Sequence, residues 1–175
     1  MSTKLPQRGS SRAQIDAYFN DIAGMNPSAL HGSMSAYCMK GSQEMQELLQ
    51  ATYMKFFHHN GVTRRMMAGI VKLEDDLVAI CADILSGGHE GVVANITSGG
   101  TESIFCAMHA AREWAREKFG RRSGFEIIAP ASAHPAFSKA CHYLDMKLTR
   151  IPVGKDYRAD AEAMRAAISK DTIRF

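Results

Sequence analysis

The pattern that most constrains this chain lies in its last third. Phe125-Glu126-Ile127-Ile128-Ala129 is a short apolar run closed by Pro130, and it reads as a buried strand. Pro135 then opens a helical pattern through Phe137, Ala140 and Leu144, because proline is tolerated in a first helical turn. Lys147 to Val153 is a second strand. Asp160 caps a helix with Met164, Ala167 and Ile168 turned inward, and Thr172-Ile173-Arg174-Phe175 begins a third strand. Strand, helix, strand, helix, strand with such short connections is the signature of an α/β fold built on a parallel sheet. A parallel sheet needs both faces covered and several strands. The sequence supplies few strands before it stops, so it is expected to end in mid-domain.

The first half reads differently. Ala13 to Ile22 forms a short helix ended by Gly24 and Asn26-Pro27, after a polar start expected to be disordered. A Gly/Ser-containing segment carries His31, Tyr37 and Lys40. Ser42 can cap a helix in which Met45, Leu48, Leu49, Thr52, Tyr53 and Phe56 keep helical spacing. That helix is expected to stop near His58-His59-Asn60-Gly61, with Gly61 as a left-handed terminator. Ile70, Leu73, Leu77, Ile80 and Ile84 form one face of the next helix, which Gly87-Gly88 ends.

Between the halves stands Thr97-Ser98-Gly99-Gly100-Thr101-Glu102-Ser103, after the apolar run Val92 to Ile96 and before a helical run from Ile104 to Lys118. In that run Ile104, Ala107, Met108, Ala111 and Trp114 share one side, and Arg112, Glu113, Arg116 and Glu117 mostly the other, until Gly120 and Gly124 break it. The paired glycines let the backbone turn sharply and come close to a ligand. A first helical turn leaves N–H groups without partners. Those donors, with nearby hydroxyls and the helix dipole, make a seat for phosphate. The same residues also suit a plain turn with a good N-cap.

His134, in Ser132-Ala133-His134-Pro135, follows a strand's C-terminal end, the edge at which ligands lie in open α/β sheets. It also suits a capping or surface histidine. His89-Glu90 resembles the start of a zincin motif, but Val93 stands where the second histidine belongs, so no metal site is expected. The net charge of +3, with basic residues scattered, does not argue for nucleic acid. Cys38, Cys81, Cys106 and Cys141 form no C-x-x-C pair, which suits reduced thiols in a cytoplasmic protein. No run approaches the ~18 apolar residues of a membrane span.

Two of these stretches carry a family likeness at matching spacing: Asn95 to Ser103, and Ser132-Ala133-His134-Pro135-Ala136-Phe137. Through them the chain resembles the pyridoxal-phosphate-dependent sphingosine-1-phosphate lyases, within the group II decarboxylase set of fold-type-I enzymes. The likeness continues through Lys139-Ala140, His142-Tyr143, Arg150-Ile151-Pro152-Val153 and the segment from Ala159 to Ile168, and it is traceable upstream to about residue 30. It implies an N-terminal helical segment over residues 1–90 and an incomplete cofactor-binding large domain over 91–175. It also implies roles. Gly100 and Thr101 would hold the phosphate of pyridoxal 5'-phosphate, and His134 would stack on its pyridine ring. Tyr37 would assist proton transfer or position substrate phosphate, and Asn60 would be a polar residue near the site. A histidine found three residues after that asparagine in some members is Thr63 here.

The implied activity is retro-aldol carbon–carbon cleavage of a phosphorylated long-chain base through an external aldimine, by a protein that is a homodimer when complete. The alternative on the same fold is decarboxylation of an amino acid. In the family the Schiff-base lysine follows a histidine well downstream, and no lysine here is preceded by histidine. A second alternative is therefore an inactive fragment, expected to give no internal-aldimine absorbance and to aggregate.

Overall fold

The computed structural model describes residues 8–25, 41–86 and 91–173. The chain divides into two compact units, residues 1–71 and 72–175, described separately below.

In the first unit α1 (Arg12–Gly24) begins at a capping box: the Ser11 hydroxyl accepts the Gln14 N–H while the Gln14 side chain accepts the Ser11 N–H. Helix α2 (Gln43–Phe56) starts at the expected Ser42 cap, whose hydroxyl accepts the Met45 N–H at 3.2 Å. Its stop differs from expectation. The helix closes at Phe57 in right-handed conformation, and Gly61 is not among the described positive-φ glycines. Beyond that end, the Asn60 side-chain oxygen accepts the Val62 N–H at 3.0 Å and shapes the turn that follows. Helix α3 (Ala68–Ser86) begins here and continues into the second unit; its expected end at Gly87-Gly88 lies outside the described residues.

The second unit contains the predicted α/β alternation. Helix α4 (Gly100–Phe119) ends at Gly120, whose φ of 63° is the left-handed conformation that glycine adopts without a steric penalty. Strand β1 (Glu126–Pro130), α5 (Pro135–Tyr143), β2 (Lys147–Ile151) and α6 (Ala161–Ala166) follow. The two strands pair in parallel, with Glu126 opposite Lys147 and Pro130 opposite Ile151. The expected third strand is present as a single parallel bridge from Thr172 to Glu126, with the Ile173 N–H bonded to the Glu126 carbonyl, so β1 is the central strand. Strand β2 stops at Ile151, short of the expected Val153, because Pro152 has no N–H for a ladder. Val153 pairs antiparallel with Ala159 instead.

The core lies where α4 and α5 cover β1: Met108, Ala115, Phe125, Ile127, Ala140, Cys141, Leu144, Met146 and Ile173 form one buried cluster, with Ile104, Phe105 and Ala111 against it. This corrects the expected face of α4. Ala107 and Trp114 are exposed, while Ala115 is fully buried and Arg112 is half-buried with a bond to the Leu144 carbonyl at 3.0 Å. Ile128 borders a groove of about 420 Å³ with Ala161, Met164 and Ile168. Ile168 lies beyond the end of α6 and is more exposed than its spacing suggested.

Among the described residues, Glu126 is the buried charged residue of this unit. Its carboxylate accepts bonds from Lys147 at 2.7 Å, from Ser169 at 2.9 Å and from the Thr149 hydroxyl. The Lys147 bond, then the Thr149 bond, hold its pKa down at about 2, against the opposing effect of burial. It ties the starts of neighbouring strands together.

Candidate cofactor site at the strand edge

Parallel strands place their C-terminal ends at one edge, and α5 leaves from that edge after β1. The four-residue connection is short and closely bonded. The Ala131 N–H bonds the Ile151 carbonyl at 2.7 Å, and the Ala133 N–H bonds the Pro130 carbonyl at 2.9 Å. His134 is the N-cap of α5. A residue before proline is driven out of helical conformation, and His134 has φ −53° and ψ 141°. That geometry turns its Nδ1 onto the Ala136 N–H at 3.1 Å. With Nδ1 accepting, the proton of the neutral ring is assigned to Nε2. His134 is therefore a cap and an exposed imidazole at once, with Nε2 and the ring faces outside that bond.

The turn before α4 comes to the same edge. Ser98, Thr101, Glu102 and Phe105 line a cavity of about 310 Å³ with Ala136, Lys139, Ala140 and Tyr143 of α5, a volume in the range of small-ligand sites. The first intrahelical bond of α4 runs from the Ser103 N–H to the Gly99 carbonyl at 3.0 Å, so the N–H groups of Gly100, Thr101 and Glu102 have no acceptor within the helix. A Cβ built on Gly99 or Gly100 meets no atom within 4 Å, so the approach to those donors is open. The turn is braced from behind: the Thr97 and Ser103 hydroxyls lie 2.6 Å apart, and Thr97 donates to the Gly99 carbonyl at 3.1 Å. Val92 to Ile96 ahead of it forms no regular strand.

The donor set suits a phosphate-bearing ligand such as pyridoxal phosphate. Converging N–H groups at a helix start and the Thr101 hydroxyl supply hydrogen bonds to an anion, and an imidazole stands two residues from the cavity wall at Ala136. One group works against it. The Glu102 carboxylate takes the Ser98 N–H at 2.7 Å, and its bonds to Ser98 lower its pKa, so a negative charge already sits at the rim.

Of the residues expected from the sequence, Gly100, Thr101 and His134 lie at this edge. Asn60 is exposed in the first unit, in the turn after α2, and Tyr37 lies outside the described residues. Sequence reasoning missed Lys139 and Tyr143 as cavity walls, with the lysine ammonium 5.6 Å from the tyrosine ring. Their i, i+4 spacing on α5 puts them on one helix face, which was the available signal. It also missed any role for Arg150. The guanidinium donates to the Ala131 carbonyl at 3.0 Å and to the Ser138 hydroxyl at 2.6 Å.

No protein-family model matches the chain. It is 36% identical over 168 residues to "Sphingosine-1-phosphate lyase 1" of Mus musculus, a match that covers 96% of this chain and 29% of that protein. Its fold superposes on the sphingosine-1-phosphate lyase of Burkholderia pseudomallei with a TM-score of 0.86 at 30% identity, over 98% of this chain and 41% of the other. The glutamate decarboxylase of Lactobacillus brevis shares the fold, at TM-score 0.73 and 18% identity over 99% of this chain and 40% of that one. The chain thus spans less than half the length of each of these three proteins.

Proposed function

We infer, for a chain homologous to the sphingosine-1-phosphate lyases along nearly its whole length, that it carries the phosphate seat and the ring-facing histidine of a pyridoxal-phosphate-dependent carbon–carbon lyase. The observation that carries this reading is the meeting, at one sheet edge, of the open α4 N-terminus and the His134 cap beside a shared cavity wall. The N–H groups of Gly100, Thr101 and Glu102, with the Thr101 hydroxyl, would hold the cofactor phosphate. His134 would face its pyridine ring, with Nδ1 engaged by Ala136 so that the imidazole cannot turn freely. Pyridoxal phosphate supplies, when bound, the electron sink that carbon–carbon cleavage next to an amine requires. By family likeness alone, Tyr37 is assigned to proton transfer or to positioning the substrate phosphate, and Asn60 to the cofactor site as a nearby polar residue.

The substrate class is a phosphorylated long-chain base, cleaved to an aldehyde and a phosphorylated amine. When complete, the protein acts as a homodimer, as the family likeness implies. Free Cys81, Cys106 and Cys141 are compatible with the cytoplasm. A substrate panel tests the reading. Aldehyde release from a phosphorylated sphingoid base is expected, and carbon dioxide release from an amino acid without any aldehyde would replace the lyase by a decarboxylase.

A further inference from the structure

Between strand β1 and helix α5 the chain has four residues in which to deliver His134, and one side chain from a different strand grips both flanks of that connection. Arg150 lies on β2 with Ala129 as its register partner. From there its Nη1 donates to the Ala131 carbonyl at 3.0 Å, at the start of the connection, and its Nη2 donates to the Ser138 hydroxyl at 2.6 Å, in the first turn of α5. His134 lies between these two points in the chain. We propose that Arg150 is a positioning residue for His134: its guanidinium fixes the distance from the loop start to the helix start, and so sets where the imidazole stands at the sheet edge. The proposal rests on the reading of His134 as the ring-facing group.

The chemistry favours arginine for this task. A guanidinium is planar, permanently charged and carries its donors in a fixed fork, so two acceptors bound to it keep a fixed separation. An ammonium on a flexible stem could bind either acceptor without setting that separation. Each of the remaining bonds of the connection acts locally. Ala131 to Ile151 fixes only the first residue, Ala133 to Pro130 closes a turn within the loop, and Ala136 to His134 travels with the helix. Arg150 alone among the named bonds joins the loop start to α5. Its side chain is on the surface and outside the core cluster, so its loss releases the connection without emptying the interior.

The test uses two readouts on the protein with Arg150→Met, which keeps the stem and removes the fork, and with Arg150→Lys. The first is amide hydrogen exchange at Ala136, whose N–H is bonded to the His134 ring, compared with the core-facing amides of Ala140 and Leu144. The second is the induced circular dichroism of added pyridoxal phosphate. Arg150→Met is expected to speed Ala136 exchange about tenfold, the loss of roughly one charge-assisted bond, while Ala140 and Leu144 stay within about twofold. The induced signal should fall in parallel, and Arg150→Lys should recover it only in part. Wild-type exchange and signal in Arg150→Met would overturn the proposal, as would a uniform rise in exchange through α5, which marks general loosening. His134→Ala separates the two layers. An unchanged signal in that variant refutes the ring-facing reading and with it the cofactor half of the proposal, while Ala136 exchange in Arg150→Met still decides whether the guanidinium holds the loop.

Discussion

His134 caps α5 and, on the proposed reading, turns the same ring to the cofactor, and the two roles can be taken apart. Asparagine is a good N-cap that offers no aromatic face. His134→Asn should therefore keep the stability of the fold, read by urea unfolding, yet lose the induced circular dichroism of pyridoxal phosphate. His134→Ala should lose the signal and also about 1 kcal/mol of stability, the usual cost of removing a cap. A full signal in His134→Asn would show that the ring does not face the cofactor. At the opposite edge of the sheet, Glu126 makes the fold acid-sensitive. Its folded pKa, about 2, lies below the ordinary value of 4.5, so its contribution is complete above about pH 4.5 and is lost as pH falls toward 2. Because its main partner Lys147 is exposed and screened, the loss should be about 2 kcal/mol rather than the larger figure the full shift would give. Urea midpoints measured from pH 5 to pH 2 should show that slope in the wild type and a flatter one in Glu126→Gln.

At the scale of elements, β1, α5, β2 and the caps at Ser42 and Asp160 could be read directly, because their signals are local: apolar runs, a proline in a first turn, a hydroxyl or carboxylate before a helix. The face of α4 could not. Alanine, methionine and cysteine populate most of its sides, so helical spacing left the stripe free to rotate by one residue. The large tryptophan then drew the expected face toward itself. In the fold Trp114 keeps an exposed ring, with Lys118 4.7 Å from it and Phe119 6.0 Å away, while small Ala115 meets the core. Overpacking therefore distinguishes the two faces. Ala115→Leu should cost about 1–3 kcal/mol, and Ala107→Leu, on the exposed side, under about 0.5 kcal/mol, by the same unfolding measurement. The stop of α2 was misjudged for a related reason. Glycine suggests a left-handed cap, but the helix closes at Phe57 in right-handed conformation, before it reaches Gly61.

For the whole molecule, the edge-on arrangement of the site follows from topology. The connection from β1 leaves its C-terminal edge for α5, and α4, which leads into the start of β1 and packs with α5 over that strand, has its own N-terminus at the same edge, so the loop before α5 and the turn before α4 meet although their sequences lie far apart. The sequence carried the two motifs, and the shared cavity needed the fold, since Lys139, Tyr143 and Phe105 become its walls only when α4 packs on α5. Arg150 was legible as part of a family-like segment and not as a clamp, because its two acceptors are a backbone carbonyl and a serine that no spacing rule connects to β2. The central claim is that the α4 N-terminus seats the phosphate with His134 against the ring. A crystal structure of the protein with pyridoxal phosphate tests it most directly. The account predicts phosphate oxygens within hydrogen-bond distance of the Gly100 and Thr101 N–H groups and the pyridine ring stacked on the His134 imidazole. Phosphate bound elsewhere, for example at the opposite sheet edge beside Lys147, would contradict it.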